Sequence, residues 1–404
     1  MRRTVRIVWL GILTAILGTV VACGAQRVDA PAPADVDRRE GEAAGDSSSG
    51  DAIESVPSDE TTFSDVRLRE VGVLDQPVDV AARSGDDAVY FVSVGGTIWR
   101  MINDSFEADP VLDISDLTDG DGERGLLGLA FSLDGTTAYV NYTDSSGDST
   151  IASLSVDSSG KFDRTSLRIL LTIEQPFRNH NAGDLVVEPS GTLLVPMGDG
   201  GSADDPQRLS LADTTLLGKV VRLNPRDGSV SVVAKGLRNP WRVDLFEDRL
   251  WLADVGQNKW EEVSVLDRVS RRVGAPFRNG TTVGDTSDVV DFGWSAYEAN
   301  MRFNDDQSSP NHLPPVLAYE HGDNGCSISG GAVATSGSLR GRYVFGDYCS
   351  GRVWSISTDD VSPNNTAPKM LLHFENIDAL SAIVRAHSDI YVLSLSGTVW
   401  RLDG

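Results

Sequence analysis

Beyond residue 64 the chain repeats one arrangement of apolar and polar positions. A short apolar run leads into a turn of Gly, Asp or Ser, and a second run such as Ala88-Val-Tyr-Phe-Val92 follows. The turns fall near Asp86, Gly135, Gly191, Asp248, Gly341 and Asp389, at successive spacings of 49, 56, 57, 93 and 48 residues. A second echo runs through Gly96-Thr-Ile-Trp-Arg-Met101, Gly218-Lys-Val-Val-Arg-Leu223, Gly351-Arg-Val-Trp-Ser-Ile356 and Gly397-Thr-Val-Trp-Arg-Leu402. Its apolar positions alternate with the period of a strand. Short-strand units at this period cannot bury their faces singly, and they predict the blades of a propeller. The expectation is an all-β fold, a six-bladed β-propeller over residues 65–404. The long fourth interval contains Arg271 to Leu313, rich in Gly, Asn and Asp. It reads as a long loop insertion between the fourth and fifth repeats.

The repeat also carries a geometric expectation. Arg124 and His180 each lie 11 residues before their turns, and Arg238 lies 10 before its own. Equivalent positions in successive blades are related by rotation about the propeller axis. If one lies at the axial mouth, all three converge there.

The ends of the chain read differently. Arg2, Arg3 and Arg6 precede an apolar run from Ile7 to Val21, and Val20-Val21-Ala22-Cys23 resembles a bacterial lipobox. Residues 1–23 therefore read as a lipoprotein signal peptide with Cys23 acylated, anchoring the body to the outer face of the cell membrane. Residues 24–64 are rich in Ala, Pro, Asp, Glu, Gly and Ser. With so little apolar surface to bury, they are expected to form a disordered tether. Cys326 and Cys349 remain, and an exported chain favours a disulfide between them. The formal net charge of −24 argues against a nucleic-acid partner, whose phosphates would be repelled.

The candidate chemistry centres on Arg178-Asn179-His180-Asn181-Ala182-Gly183-Asp184-Leu185, followed by Gly198-Asp199-Gly200-Gly201. His180, one of only five histidines, sits between two amides just before an apolar run. An imidazole titrating near neutrality can take a proton from a hydroxyl group. Gly236-Leu237-Arg238-Asn239-Pro240-Trp241-Arg242 adds a guanidinium suited to a developing oxyanion. Stacking of that guanidinium on Trp241 is the structural alternative. The loop Ala253-Asp254-Val255-Gly256-Gln257-Asn258 can turn carbonyl oxygens toward a hard cation such as calcium. No G-x-S-x-G elbow, P-loop or zinc spacing is present.

Taken together, GERGLLGLAF (122–131), HNAGDL (180–185), GDGG (198–201), GLRNPWR (236–242), ADVGQNKWEEV (253–263), FGW (292–294) and GRYVFGDYCSGRVW (341–354) resemble the glucose/sorbosone dehydrogenase family. That family comprises the PQQ-dependent aldose sugar dehydrogenases and their hedgehog-interacting-protein-like relatives, and its fold is a six-bladed propeller. The resemblance implies that His180 is the general base for the sugar C1 hydroxyl while hydride passes to the quinone. It places Arg238 and Asn239 against the PQQ carbonyls, with Glu123, Arg124 and Asn181 also lining the cofactor. Calcium would be held partly by the backbone carbonyls of Gly256 and Gln257.

Three departures from the family pattern stand out. Glu123 takes the place of a Gln near the cofactor. Cys349 falls near the position of a Lys that pairs with PQQ carboxylates, as in the hedgehog-interacting-protein-like branch. Ile377-Asp378-Ala379 replaces an Arg pair in the last blade. Carboxylates are normally held by such charge-assisted bonds, and Arg342 or Arg352 is the available compensation. The leading expectation is an oxidoreductase acting on an aldose with PQQ and calcium, passing electrons to an acceptor. The alternatives are a non-catalytic propeller binding carbohydrate or protein at the cell envelope, and a calcium-dependent lactone hydrolase.

Overall fold

The computed structural model describes residues 66–361 and 367–404. The proposed signal segment, Cys23 and the whole of the proposed tether lie outside them. Among the described residues the only helix is a 3-10 turn, Val269–Arg271, and none is long and apolar enough to cross a membrane.

The fold is an all-β propeller. Its first strands are Pro77–Ala82, Leu126–Phe131, Val186–Val187, Pro240–Phe246, Ile328–Val333 and Leu380–Ala386. Each lies against the next in that order, and the last returns to the first. The turns singled out in the sequence join each of these strands to the second of its sheet. The Gly-led echo marks third strands, Thr97–Ile102, Lys219–Leu223, Val353–Ser357 and Thr398–Asp403. Second strands such as Val89–Ser93 and Leu193–Met197 are buried at every position. A sheet covered on both faces by its neighbours needs continuous apolar runs there. The outer strand Phe162–Ile173, covered less, is mostly exposed or half-buried. Arg67–Val73 pairs antiparallel with Thr398–Asp403, so the two ends of the described chain complete one sheet and close the ring.

The expectation of six blades is corrected: five regular blades are seen. Five sheets keep a regular four-position plan, whereas the sheet built on Val186–Val187 has seven strands. The extra strands, Ala275–Arg278, Thr281–Thr282 and Val290–Asp291, come from the segment expected to be a long loop. That segment does not join two repeats. It lies between Trp260–Asp267 and Leu317–Glu320, which pair within a single sheet. Its backbone polar groups are satisfied by adding strands to the neighbouring sheet and by a hairpin, Tyr297–Glu298 with Met301–Arg302.

Buried carboxylates stitch the sheets together around the axis. Asp79 accepts the N–H of Val80 at 2.7 Å and of Leu129 in the next sheet at 2.8 Å. Asp184 does the same for Leu185 and Val243, both at 2.7 Å. Arg242, only 1% exposed, supplies their countercharge and lies 4.7 Å over the Trp241 ring. Burial, reinforced by the neighbouring Asp184 charge, pushes Asp79 up to about 7.

A raised folded pKa means the folded state holds the proton that the unfolded chain has already released. Stability from this group is therefore full below pH 4 and is lost as pH rises toward 7, by roughly 4 kcal/mol for three pH units. Thermal melts of Asp79→Asn are expected to show a flatter pH dependence over this window than the parent protein. An unchanged slope would contradict the assignment.

Candidate active site

The segments entering the first strands and those joining second to third strands meet on one face of the ring, and they bring most of the candidate residues together. His180 is 3% exposed, and its Nδ1 lies 2.6 Å from Oδ1 of Asp199, itself 1% exposed. Asp199 also accepts the Gly201 N–H at 2.9 Å and, through Oδ2, the Trp294 indole N–H at 2.8 Å. An ionised carboxylate only accepts, so the shared proton sits on Nδ1 and Nε2 is left as the acceptor. His180 and Ala182 both adopt positive φ, 59° and 51°. Backbone strain of this kind persists where the surroundings over-determine it. Gly198 is required beneath the ring, because a Cβ there would stand 1.8 Å from the His180 carbonyl oxygen.

Glu123 links the His180 and Asn239 segments. Its Oε2 accepts the His180 backbone N–H at 2.7 Å and Asn239 Nδ2 at 3.3 Å, while Asn239 Oδ1 accepts the Ala182 N–H at 3.1 Å. Arg238 donates from Nε to Gln257 at 3.2 Å and from a terminal nitrogen to the Val255 carbonyl at 2.8 Å. Its guanidinium lies 5.7 Å over the Trp294 ring, not over Trp241, where the sequence alternative had it. Asn181 is fully buried beside His180 with neither amide atom bonded among the described residues. The Arg124 guanidinium is engaged by Asp119 at 2.9 Å and stands against Gly147.

The loop after Asp254 is held by a residue that sequence reasoning missed. Glu298 Oε1, on the hairpin, accepts the N–H groups of Gln257, Asn258, Lys259 and Trp260 at 2.8, 2.7, 2.9 and 3.3 Å. In a planar trans peptide the N–H of one residue points opposite to the C=O of the residue before. Aiming the Gln257 and Asn258 N–H groups at Glu298 therefore turns the Gly256 and Gln257 carbonyls away from it, side by side. A Cβ at position 256 would stand 1.6 Å from the Trp260 oxygen, so only Gly fits. Asp254 accepts the backbone N–H groups of Arg238 and Asn239 at 3.0 and 2.6 Å, and burial pushes it up to about 7. Among the described residues no cluster of three His, Cys, Asp or Glu is placed to hold a metal ion. A cation here would rest on carbonyl oxygens.

Cys326 and Cys349 form a disulfide with Cα atoms 5.6 Å apart. On the chain-entropy model such a loop contributes about 3 kcal/mol. Asp347, fully buried, accepts the N–H groups of both cysteines, at 3.0 and 2.8 Å. The disulfide includes Cys349, which the resemblance set near a family cation. The two compensating arginines are engaged elsewhere. Arg342 donates to Ser355 at 2.7 Å, and Arg352 binds Asn324 and Glu375, each at 2.9 Å.

Residues 74–271 match the family described as Glucose / Sorbosone dehydrogenase. The HIPL1 protein of Arabidopsis thaliana is 28% identical over 239 residues, covering 47% of this chain and 32% of that protein. The HIPL2 protein of the same plant is 24% identical over 416 residues, covering 78% of this chain and 57% of that protein. The chain therefore spans between a third and just over half of these relatives. The PQQ-bound aldose sugar dehydrogenase of Streptomyces coelicolor superimposes with a TM-score of 0.64 at 20% identity, covering 84% of this chain and 97% of that one. That likeness shows a shared fold. Over residues 74–271 the chain is thus similar to the Glucose / Sorbosone dehydrogenase family, and its fold is the one seen in an aldose sugar dehydrogenase.

Proposed function

We propose that this protein oxidises an aldose at C1 with PQQ and calcium, as a lipoprotein outside the cytoplasm that passes electrons to a further acceptor. On this reading the seven-stranded sheet is the sixth blade and residues 65–404 form one catalytic domain. The observation that carries the proposal is the buried His180–Asp199 pair, 2.6 Å apart, beside an Arg238 that no carboxylate pairs with among the described residues.

The donor set fits the quinone end of the cofactor. Arg238 and Asn239 offer N–H groups to its carbonyls, and the paired Gly256 and Gln257 carbonyls suit a hard cation. It offers little to the three carboxylates, since the disulfide and Ile377-Asp378-Ala379 bring no cation. Weak retention of PQQ is the expected consequence. When bound, the quinone would supply the hydride acceptor and the calcium its polarisation. The chain itself does the rest. His180 Nε2 takes the C1 hydroxyl proton, and Asp199 holds the ring and stabilises the imidazolium that forms. Glu123 and Asn239 fix the backbone on either side of the imidazole.

The test is dye reduction by the purified protein supplied with PQQ and calcium. Reduction that requires both an aldose and PQQ is expected. Lactone hydrolysis without quinone, or sugar binding with no dye reduced at saturating PQQ, would overturn the proposal.

A further inference from the structure

A cavity of about 470 Å³ opens on the opposite face of the ring, between the sheet of Leu126–Phe131 and the seven-stranded sheet. It lies at the far end of the strand Thr137–Thr143, whose last residue touches Gly125 on the His180 face. Seven strand residues separate the two faces by roughly 20 Å. Nothing in the proposed reaction uses this cavity.

Its lining has two characters. Arg168 and Arg226 both flank it, and neither forms an ion pair among the described residues, in a chain with a formal charge of −24. The Tyr139 hydroxyl lies within electrostatic reach of Asp134 and, less strongly, of both guanidiniums. Arg168 is steadied by a 3.0 Å bond to the Pro225 carbonyl. The cavity's one carboxylate, Asp134, is folded into its own turn, with Oδ1 accepting from Ser132 and Thr136. Two cations against one carboxylate leave a local positive excess. The remaining lining is hydroxyl-rich, with Ser153 and Ser155, and carries one exposed apolar side chain, Leu133, at 56%.

We propose that this cavity binds a sugar acid of monosaccharide size, its carboxylate at Arg226 and Arg168 and its ring hydroxyls at Tyr139 and the serines. A neutral sugar leaves both guanidiniums unused. An inorganic anion leaves the hydroxyls and Leu133 unused in a space many times its size. A pyranose carboxylate matches charge, hydroxyl and apolar edges together, and the volume lies in the range of small-molecule sites. The site stands independently of the His180 reaction.

Calorimetric titration of the PQQ-free protein with glucuronate, glucose and inorganic phosphate tests it. Glucuronate is expected to bind at one site, more tightly than glucose or phosphate. Arg168→Gln with Arg226→Gln weakens it at least about tenfold, as loss of charge-assisted bonds does. Tyr139→Phe weakens it less, and His180→Ala leaves it unchanged. No glucuronate binding, equal binding of glucose or phosphate, or binding that survives in the arginine variant while failing in His180→Ala would overturn the proposal. Near-ultraviolet circular dichroism confirms that each variant is folded.

Discussion

Replacing His180 by Ala is expected to lower kcat for aldose oxidation by about 10²- to 10⁴-fold, the range for losing a positioned general base. Stability should change little by comparison, because the imidazole makes one side-chain hydrogen bond, to Asp199. Asp199→Asn tests the same pair from the other side. An amide can present its NH₂ to Nδ1, which moves the ring proton to Nε2 and removes the acceptor the sugar hydroxyl needs. The loss is expected to approach that of His180→Ala and to fall on kcat more than on KM. Steady-state dye reduction with excess PQQ and calcium reads both. Either variant retaining parental kcat would remove His180 from the role of base.

The second large effect belongs to Glu298. Glu298→Ala leaves four backbone N–H groups of residues 257–260 without their acceptor, at a cost of about 3 kcal/mol. The peptide planes of Gly256 and Gln257 are then free to rotate, and the paired carbonyls lose their orientation. The calcium concentration giving half-maximal activity is expected to rise about 10- to 100-fold, as it does when supports behind metal ligands are removed. Glu298→Gln keeps an acceptor oxygen at the same place and should recover most of the calcium response. Denaturant unfolding and calcium titration measure the two parts separately. A calcium response in Glu298→Ala equal to the parent's would show that the carbonyls are not the site.

Much of this fold was legible because its signal is local and repeated. The turn positions and the Gly-led echo correspond to real strand boundaries, and His180, Asn239 and Glu123 do meet. The misreadings came from information that lies across the fold. Residues 271–313 look loop-like because each of their strands is two to four residues long, and three of them take their order from a neighbouring sheet. The repeat offset singled out Arg124, whose guanidinium pairs with Asp119, while its neighbour Glu123 accepts the His180 N–H. Asp199 and Trp294 sat in the quoted GDGG and FGW stretches with no role attached. Their link to His180 spans 19 residues in one case and 95 between themselves in the other. Glu298 carried no local signal at all, since its four partners lie about 40 residues away.

The central claim is that His180 on this face removes a proton from the C1 hydroxyl of an aldose as the C1 hydrogen departs. The most direct measurement supplies the protein with PQQ, calcium and an aldose deuterated at C1, and follows the label in the recovered sugar product. Loss of deuterium from C1 in step with dye reduced, and its retention with His180→Ala, is the predicted result. Sugar recovered with its deuterium intact and no dye reduced, at saturating PQQ and calcium, would contradict it.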